Sequence, residues 1–136
     1  LKGEWKLYKF HNEWAVVKDY DQAMVSGKAG DEAIFNFNGT GVSLVGNWFK
    51  DGGKADVFLD GKLVRTINTY FDFSGQQHND MDLCHFTNLP AGKHELKIIV
   101  KGEKVPESAG TKIYLSQAIV FKTEKKKSDT YKFSFE

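Results

Sequence analysis

Residues 68–83, NTYFDFSGQQHNDMDL, set Tyr70, Phe71 and Phe73 among acidic and amide side chains, and residues 47–54, NWFKDGGK, place Trp48 and Phe49 beside Lys50 and Asp51. A flat aromatic face next to hydrogen-bonding groups is what a pyranose needs, because a sugar ring offers an apolar C–H face rimmed by hydroxyls. Trp48 and Tyr70 could supply such faces, since each joins a flat ring to a polar edge. Asp51, Asp72 and His78 could exchange hydrogen bonds with hydroxyls, and Lys50 could serve a hydroxyl or an acidic group. Phe49, Phe71 and Phe73 have no polar handle and fit better as plugs that turn inward and cap the core, whereas Trp48 and Tyr70 suit either role. Platform and plug are both open at this point.

Catalytic chemistry finds less support. The 4 histidines are His11, His78, His85 and His94, and none stands at a zinc-ligand spacing from another or from cysteine. His94 sits where a turn leads into a strand and reads as structural. The chain has no G-x-S-x-G elbow. Cys84 and His85 are adjacent in an expected strand, so their side chains point to opposite faces and make a poor nucleophile and base. Asp72, Asp80 and Asp82 could in principle flank a glycosidic bond, but acidic loop residues are commonly solvated, and the chain is expected not to be an enzyme. Asp19 with Asp21, and Asp80 with Asp82, could add oxygen ligands to a calcium ion, yet neither pair lies in a D-x-D-x-D-G loop. No cofactor is expected, and a structural calcium ion is left open.

The elements that must position these residues follow a period of two. Phe35 and Phe37 alternate with Asn36 and Asn38, then GTG turns the chain into residues 42–45, which predicts a hairpin. Ala55, Val57 and Leu59 alternate up to the tight turn Asp60-Gly61, and residues 63–68 return as a second hairpin. Leu96, Ile98 and Val100 mark a half-buried strand after the turn NLPAGKH. Ile113, Leu115, Ile119 and Phe121 are expected on one face of the next strand, with Gln117 breaking it and suggesting a bulge or a buried polar contact. Trp5 to Phe10 and Trp14 to Val17 read as strands, and Tyr131, Phe133 and Phe135 as a last one after the basic connection KTEKKKSD. No run of ten residues carries the helical period, and residues 20–32 read as an irregular segment. Eight or nine short strands with regular turn signals predict an all-β antiparallel sandwich.

A chain of 136 residues suits one domain with a core that needs no staple. We read 1–136 as that single domain, with its core over 30–121, a basic connection over 122–129 and a terminal strand over 130–136. Lys plus Arg at 19 against Asp plus Glu at 18 gives a formal charge of +1, so neither nucleic acid nor an anionic membrane is the expected partner. No run approaches the roughly 18 apolar residues of a membrane span, and the first ten residues lack the apolar stretch of a signal peptide. The chain starts without methionine and is expected to be a mature segment or a piece of something longer. The single cysteine, Cys84, reads as a small buried hydrophobe.

Antiparallel strands that reverse at every connection send alternate loops to opposite ends of a sandwich. Residues 38–41, 60–61 and 88–92 are short connections, and they alternate with the long ones at 47–54, 69–82 and 102–110. Residues 20–32 fall on the long side by the same count. One end is therefore expected to be trimmed to turns while the other gathers the irregular segments, where binding surfaces are built.

The strings AIFNFNGTGVSLVG, GGKADVFLDGKLVRTINTY, LPAGKHELKIIVKG and SAGTKIYLSQAIVF together resemble galactose-binding-like jelly-roll domains, including the accessory carbohydrate-binding modules of bacterial glycoside hydrolases. The resemblance spans roughly residues 30–121. It is carried by Phe37, Gly39, Thr40 and Gly41, by Val57, Leu59, Asp60 and Gly61, and by Leu89, Gly92, His94 and Leu96, all of them scaffold positions. It implies a jelly roll with a sugar site among loops at one end, attached to a polysaccharide-degrading catalytic domain in the same polypeptide. It also implies a secreted, periplasmic or cell-surface setting, and action as a monomer without membrane insertion. Relatives of this kind carry a structural calcium ion held partly by an acidic residue in the last core strand, and here residues 114–118, YLSQA, have none. The alternative function is a structural or protein-interaction sandwich packing against a neighbouring catalytic domain.

Overall fold

The computed structural model describes residues 1–10, 21–71, 78–122 and 128–133, and for 8–10, 21–22, 78–80 and 128–129 the backbone alone. The described residues form an all-β sandwich of two antiparallel sheets. One sheet has six strands. Along it run β1 (Lys6–Phe10), β2 (Asp21–Ser26), β9 (Ile113–Phe121), β4 (Gly41–Trp48) and β7 (His78–Phe86), while β10 (Ser128–Lys132) pairs with β9. The other has four, in the order β3 (Glu32–Gly39), β8 (Gly92–Val100), β5 (Lys54–Leu59) and β6 (Lys62–Asn68). Strands β2 to β9 thus pass from sheet to sheet at every connection except β5–β6, which is the jelly-roll pattern.

The core lies between the sheets and is filled by residues of alternate parity, among them Ala33 and Phe37 of β3, Val42 and Leu44 of β4, and Leu96, Ile98 and Val100 of β8. Burying each of the larger aliphatic side chains contributes about 1.5–3 kcal/mol against exposure, and this fixes the register: a one-residue slip would turn the whole set to solvent. Cys84 is buried among them, as expected of a small hydrophobe.

Four expectations change. Residues 35–45 are not a hairpin within one sheet: β3 pairs with β8 and β4 with β7 and β9, so the GTG turn carries the chain across the sandwich. Residues 21–26, expected to be irregular, form β2, because Ala23 and Met24 are fully buried between its neighbours β1 and β9. Strand β7 begins at His78, which shortens the long connection expected to run to Asp82. In β9 a bulge stands where Gln117 suggested one, since Val45 pairs with Gln117 and Gly46 with Leu115, leaving Ser116 extra. That extra residue inverts the parity, so Ala118 and Val120 join Ile113 and Leu115 in the core while Phe121 is 37% exposed.

The bulge leaves no loose ends. Ser116 Oγ donates to the Val45 carbonyl at 3.1 Å, and the Ser116 carbonyl accepts from Phe133 N–H at 3.0 Å. Beside it β7 has its own bulge at Leu83, between the pairs Leu44–Cys84 and Val45–Asp82. Gly46 lies between the two, where an added Cβ would collide with the Tyr114 carbonyl oxygen.

The connections segregate as their alternation predicts. At the short end, Thr40 N–H donates to the Phe121 carbonyl at 2.8 Å and Leu89 N–H to the Thr40 carbonyl at 2.9 Å. Asp60 and Gly61 both hold positive φ, 52° and 80°, the left-handed pair that a two-residue hairpin turn requires. At the other end, residues 27–31, 49–53, 69–71 and 102–112 are knitted by main-chain bonds, including Gly53 N–H to Lys112 carbonyl at 3.0 Å and Lys112 N–H to Asp51 carbonyl at 3.0 Å. The expected strand Trp14–Val17, most of the basic run and Phe135 lie outside the described residues.

Candidate functional site

At the long-loop end, β4 runs out at Trp48 and the chain enters residues 49–53, while β6 runs out at Asn68 and enters residues 69–71. These two exits lie side by side. Phe49 N–H donates to the Thr69 carbonyl at 3.3 Å and Phe71 N–H to the Phe49 carbonyl at 3.1 Å, a parallel bridge that sets Phe49 against Tyr70. The Asn68 side chain accepts from Tyr70 N–H at 3.1 Å and bends the chain there. Phe71 is 41% exposed; Phe49 and Tyr70 are half-buried.

Trp48 is also half-buried and packs on the core, and its indole N–H donates to the Asp82 carbonyl at 3.3 Å. Its strand partner is His78, placed opposite it in the β4–β7 ladder. The His78 side chain and all of Asp72 and Phe73 lie outside what the structure describes. Lys50 is exposed, with its ammonium 5.6 Å from the centre of the Phe49 ring. Asp51 turns inward: Oδ2 accepts from the Tyr114 hydroxyl at 2.9 Å and meets Lys112 Nζ at 3.5 Å, while Oδ1 is shielded from solvent and has no hydrogen-bond partner among the described residues. The structure therefore brings Trp48, Lys50, Asp51 and Tyr70 to one end, with Asp51 engaged inside the loop.

The frame beneath these side chains depends on Ser108, which is buried at 5% exposure. Its Oγ lies 2.7 Å from the Gly52 carbonyl, 2.9 Å from that of Gly110 and 3.1 Å from that of Lys50. A hydroxyl has one proton, so the shortest contact, to Gly52, is the principal bond. Ser108 carried no signal in the sequence, since one serine in a polar loop looks like any other.

A second concavity lies toward the short-turn end, over β3 and β8, with a volume of about 610 Å³. His94 sits in its lining with 8% of its side chain exposed, its ring stacked on Phe37 at 5.4 Å between centroids. Its Nδ1 lies 2.7 Å from Asp60 Oδ2 and its Nε2 2.6 Å from the Pro90 carbonyl. The Asp60 hydrogen bond, followed by that of Pro90, holds the imidazole above its ordinary range, and the same bond with His94 is the largest cause holding Asp60 below its own. His94 thus clamps the β5–β6 turn to β8, the structural role its position suggested.

Nucleophilic chemistry has no footing at Cys84, whose thiol burial pushes up to about 12. Its neighbour His85 faces the other way and meets Asp82 at 2.8 Å. Asp82 already binds Ser43 at 2.5 Å as well as His85, and among the described residues no three His, Cys, Asp or Glu are grouped to hold a metal. Asp19 and the side chains of Asp21 and Asp80 are not among them.

No family model matches the chain. Among curated proteins it is 33% identical over 97 residues, 71% of its length, to an A type blood alpha-D-galactosamine galactosaminidase of Flavonifractor plautii, and it spans 8% of that protein. Among solved structures it is similar to part of a two-domain esterase active on acetylated mannans, co-crystallised with mannopentaose. The TM-score is 0.56 and the identity 14%, covering 83% of this chain and 28% of the esterase. It is also similar to part of a Paenibacillus xanthan lyase, with a TM-score of 0.56 and 12% identity over 88% of this chain and 12% of the lyase. At such identities the two structures speak for the fold. The chain spans less than a third of each of these three proteins.

Proposed function

We propose that this chain is a non-catalytic carbohydrate-binding module of the galactose-binding-like kind, carried by a polysaccharide-degrading enzyme that works outside the bacterial cell. The observation that carries the reading is the galactosaminidase match: 33% identity over 97 residues that make up 8% of that enzyme, as befits a separate accessory unit. The fold likeness to parts of an esterase active on acetylated mannans and of a xanthan lyase supports the same setting. The module would raise the local concentration of its enzyme on a polymer.

The site lies at the long-loop end. Trp48 and Tyr70 present ring faces, flanked by Phe49 and the exposed Phe71; Lys50, with Asp72 and His78 from the following stretch, exchanges hydrogen bonds with hydroxyls. Asp51 braces the loop from within through Tyr114 and Lys112. A shallow site of this kind binds at micromolar to millimolar strength, on the order of 4–8 kcal/mol. The test is a glycan-array screen with and without calcium, followed by tryptophan fluorescence titration of each hit. Tyr70→Ala and Trp48→Ala are each expected to weaken binding at least about tenfold, the loss of one stacking contact, while the far-ultraviolet spectrum stays that of the parent. Silence across the array from a folded chain, or binding that survives both substitutions, would refute the reading.

A second reading, a sandwich that packs against a neighbouring domain, draws on the β6 edge, where Leu63 and Val64 are 53% and 40% exposed. It predicts that Leu63→Lys separates the chain from its flanking domain in limited proteolysis of the full-length enzyme while glycan binding is unchanged.

A further inference from the structure

We propose that the outer face of the four-stranded sheet is where this module packs on the domain joined ahead of it in the polypeptide. The proposal rests on the second reading above, of a neighbouring domain packed on the sandwich, and moves the contact from the β6 edge onto this face. Leu96, Ile98 and Val100 of β8 and Ala55 and Val57 of β5 point into the core, so the residues between them face outward. A solvated face of an antiparallel sheet carries polar residues at such positions. Here four contiguous outward positions break that rule. One row of the ladder sets Ile34 opposite Lys97, Lys97 opposite Phe58 and Phe58 opposite Leu63, a line about 14 Å long across all four strands. Ile99, two residues on from Lys97, stands in the next row. Ile34, Phe58 and Ile99 are half-buried and Leu63 is 53% exposed. Polar groups bound the patch, Asn36 opposite Glu95 on one side, and on the other Asp56 with Thr66 at 2.7 Å and Lys101 at 3.6 Å. An apolar centre inside a polar rim is the layout of an interface.

The path of the chain names the occupant. Lys2 and Glu32 exchange main-chain hydrogen bonds at 2.8 and 2.9 Å, and Glu32 is the residue opposite Ile99. Glu4 N–H donates to Asp31 Oδ2 at 2.8 Å, and the indole N–H of Trp5, itself 5% exposed, lies 3.0 Å from the carbonyls of both Lys2 and Glu32. The polypeptide thus comes onto the sandwich along the edge of β3, at the border of the patch, and is bolted there by Lys2, Glu4 and Trp5. A domain joined ahead of Leu1 is delivered to this face with no slack at the junction. The chain makes up 8%, 28% and 12% of the three proteins it is similar to, so sandwiches of this kind are built into longer polypeptides. Charge adds the chemistry of the contact. The Lys97 ammonium lies 5.3 Å from the centre of the Phe58 ring and, among the described residues, is in no ion pair. An apolar surface carrying a carboxylate opposite Lys97 complements it. Held in this way, the loop end keeps one angle to its neighbour instead of swinging on a tether.

The test is hydroxyl-radical footprinting of the full-length enzyme, carrying an inserted protease site ahead of Leu1. Phe58 and Leu63 are expected to oxidise several-fold more slowly in the intact enzyme than after cleavage and removal of the preceding domain. In Lys97→Glu, which sets a like charge against the neighbour's carboxylate, the intact and released forms are expected to oxidise alike, and Trp48→Ala/Tyr70→Ala is expected to keep the parent's difference. Glycan binding is read separately on the array, so the loop-end site stands or falls by itself. Protection of Leu63 without protection of Phe58, unchanged in Lys97→Glu, would place the neighbour on the β6 edge, overturning this face and leaving the second reading standing. Protection of both residues that survives removal of the preceding domain would overturn the choice of occupant. Equal oxidation of both residues in the intact and released parent would refute the face and the second reading together.

Discussion

Removing the charge at His94 is expected to flatten the pH dependence of stability. In the fold its two ring nitrogens lie 2.7 Å from Asp60 Oδ2 and 2.6 Å from the Pro90 carbonyl, and neither partner can donate. His94 is raised from its ordinary 6.5 by the Asp60 bond first and the Pro90 bond second, against burial, which lowers it. Because the folded value is the higher one, the stabilisation is complete below 6.5 and is lost as pH climbs through the folded value. Asp60 is lowered from 3.8, chiefly by His94 and then by the Glu95 N–H, so its share is present above 3.8 and is lost as pH falls through its folded value. The clamp is therefore strongest between 3.8 and 6.5. A hydrogen bond to a charged group is worth about 1.5–3 kcal/mol. The Asp60 side chain is 48% exposed, so solvent screens that bond toward the lower end. His94→Gln keeps one amide donor and loses the charge, which should cost about 2 kcal/mol near pH 5.5 and under about 1 kcal/mol near pH 9. Urea unfolding of the parent, His94→Gln, Asp60→Asn and the double variant at those two pH values isolates the pair from the other histidines. If His94→Gln keeps the parent's fall in stability between the two pH values, or if the cycle gives no coupling, the clamp is not what stabilises this turn.

Two further outcomes follow from the loop frame and the core. Ser108→Ala is expected to lower stability by about 1–2 kcal/mol and to speed amide exchange at Ala109 and Lys112, which donate to the carbonyls of Lys50 and Asp51; unchanged exchange there would show that the hydroxyl is not what holds the loops. With its thiol pushed up to about 12 by burial, Cys84 should resist a thiol reagent near pH 8 in the folded chain and react fully once urea unfolds it. Modification of the folded chain at the rate of a free thiol would contradict that burial.

The strands were legible where alternation was clean and the turn chemistry was explicit. Leu96, Ile98 and Val100 point into the core as their spacing requires, and Asp60-Gly61 forms its hairpin turn. The GTG turn was legible as a reversal and illegible as a change of sheet, because a connection that crosses a sandwich uses the same glycines as one that stays within a sheet. Strand β2 escaped notice because, of its described side chains, only Met24 joins the hydrophobic core between the sheets, while Ala23 is buried on the opposite face with Tyr114. In β9, Gln117 marked the bulge, but the sequence could not say that the extra residue would be Ser116, nor which later residues would therefore turn inward. At the candidate site the long-loop end was visible through parity alone. The contacts of Asp51 with Tyr114 and Lys112 join residues more than sixty apart and have no local signature.

The loops at the long end are joined by peptide groups, Phe49 to Thr69 and Phe71, Gly53 to Lys112 and Thr69, Lys50 to Ala109, together with the side chains of Ser108, Thr69 and Asp51. Peptide groups are the same whatever residue bears them. The side chains at 49, 50, 70 and 71 can therefore be exchanged without redrawing the path of the chain beneath them. Selection, or a laboratory library randomised at those four positions, could rewrite what this end recognises while inheriting its shape intact.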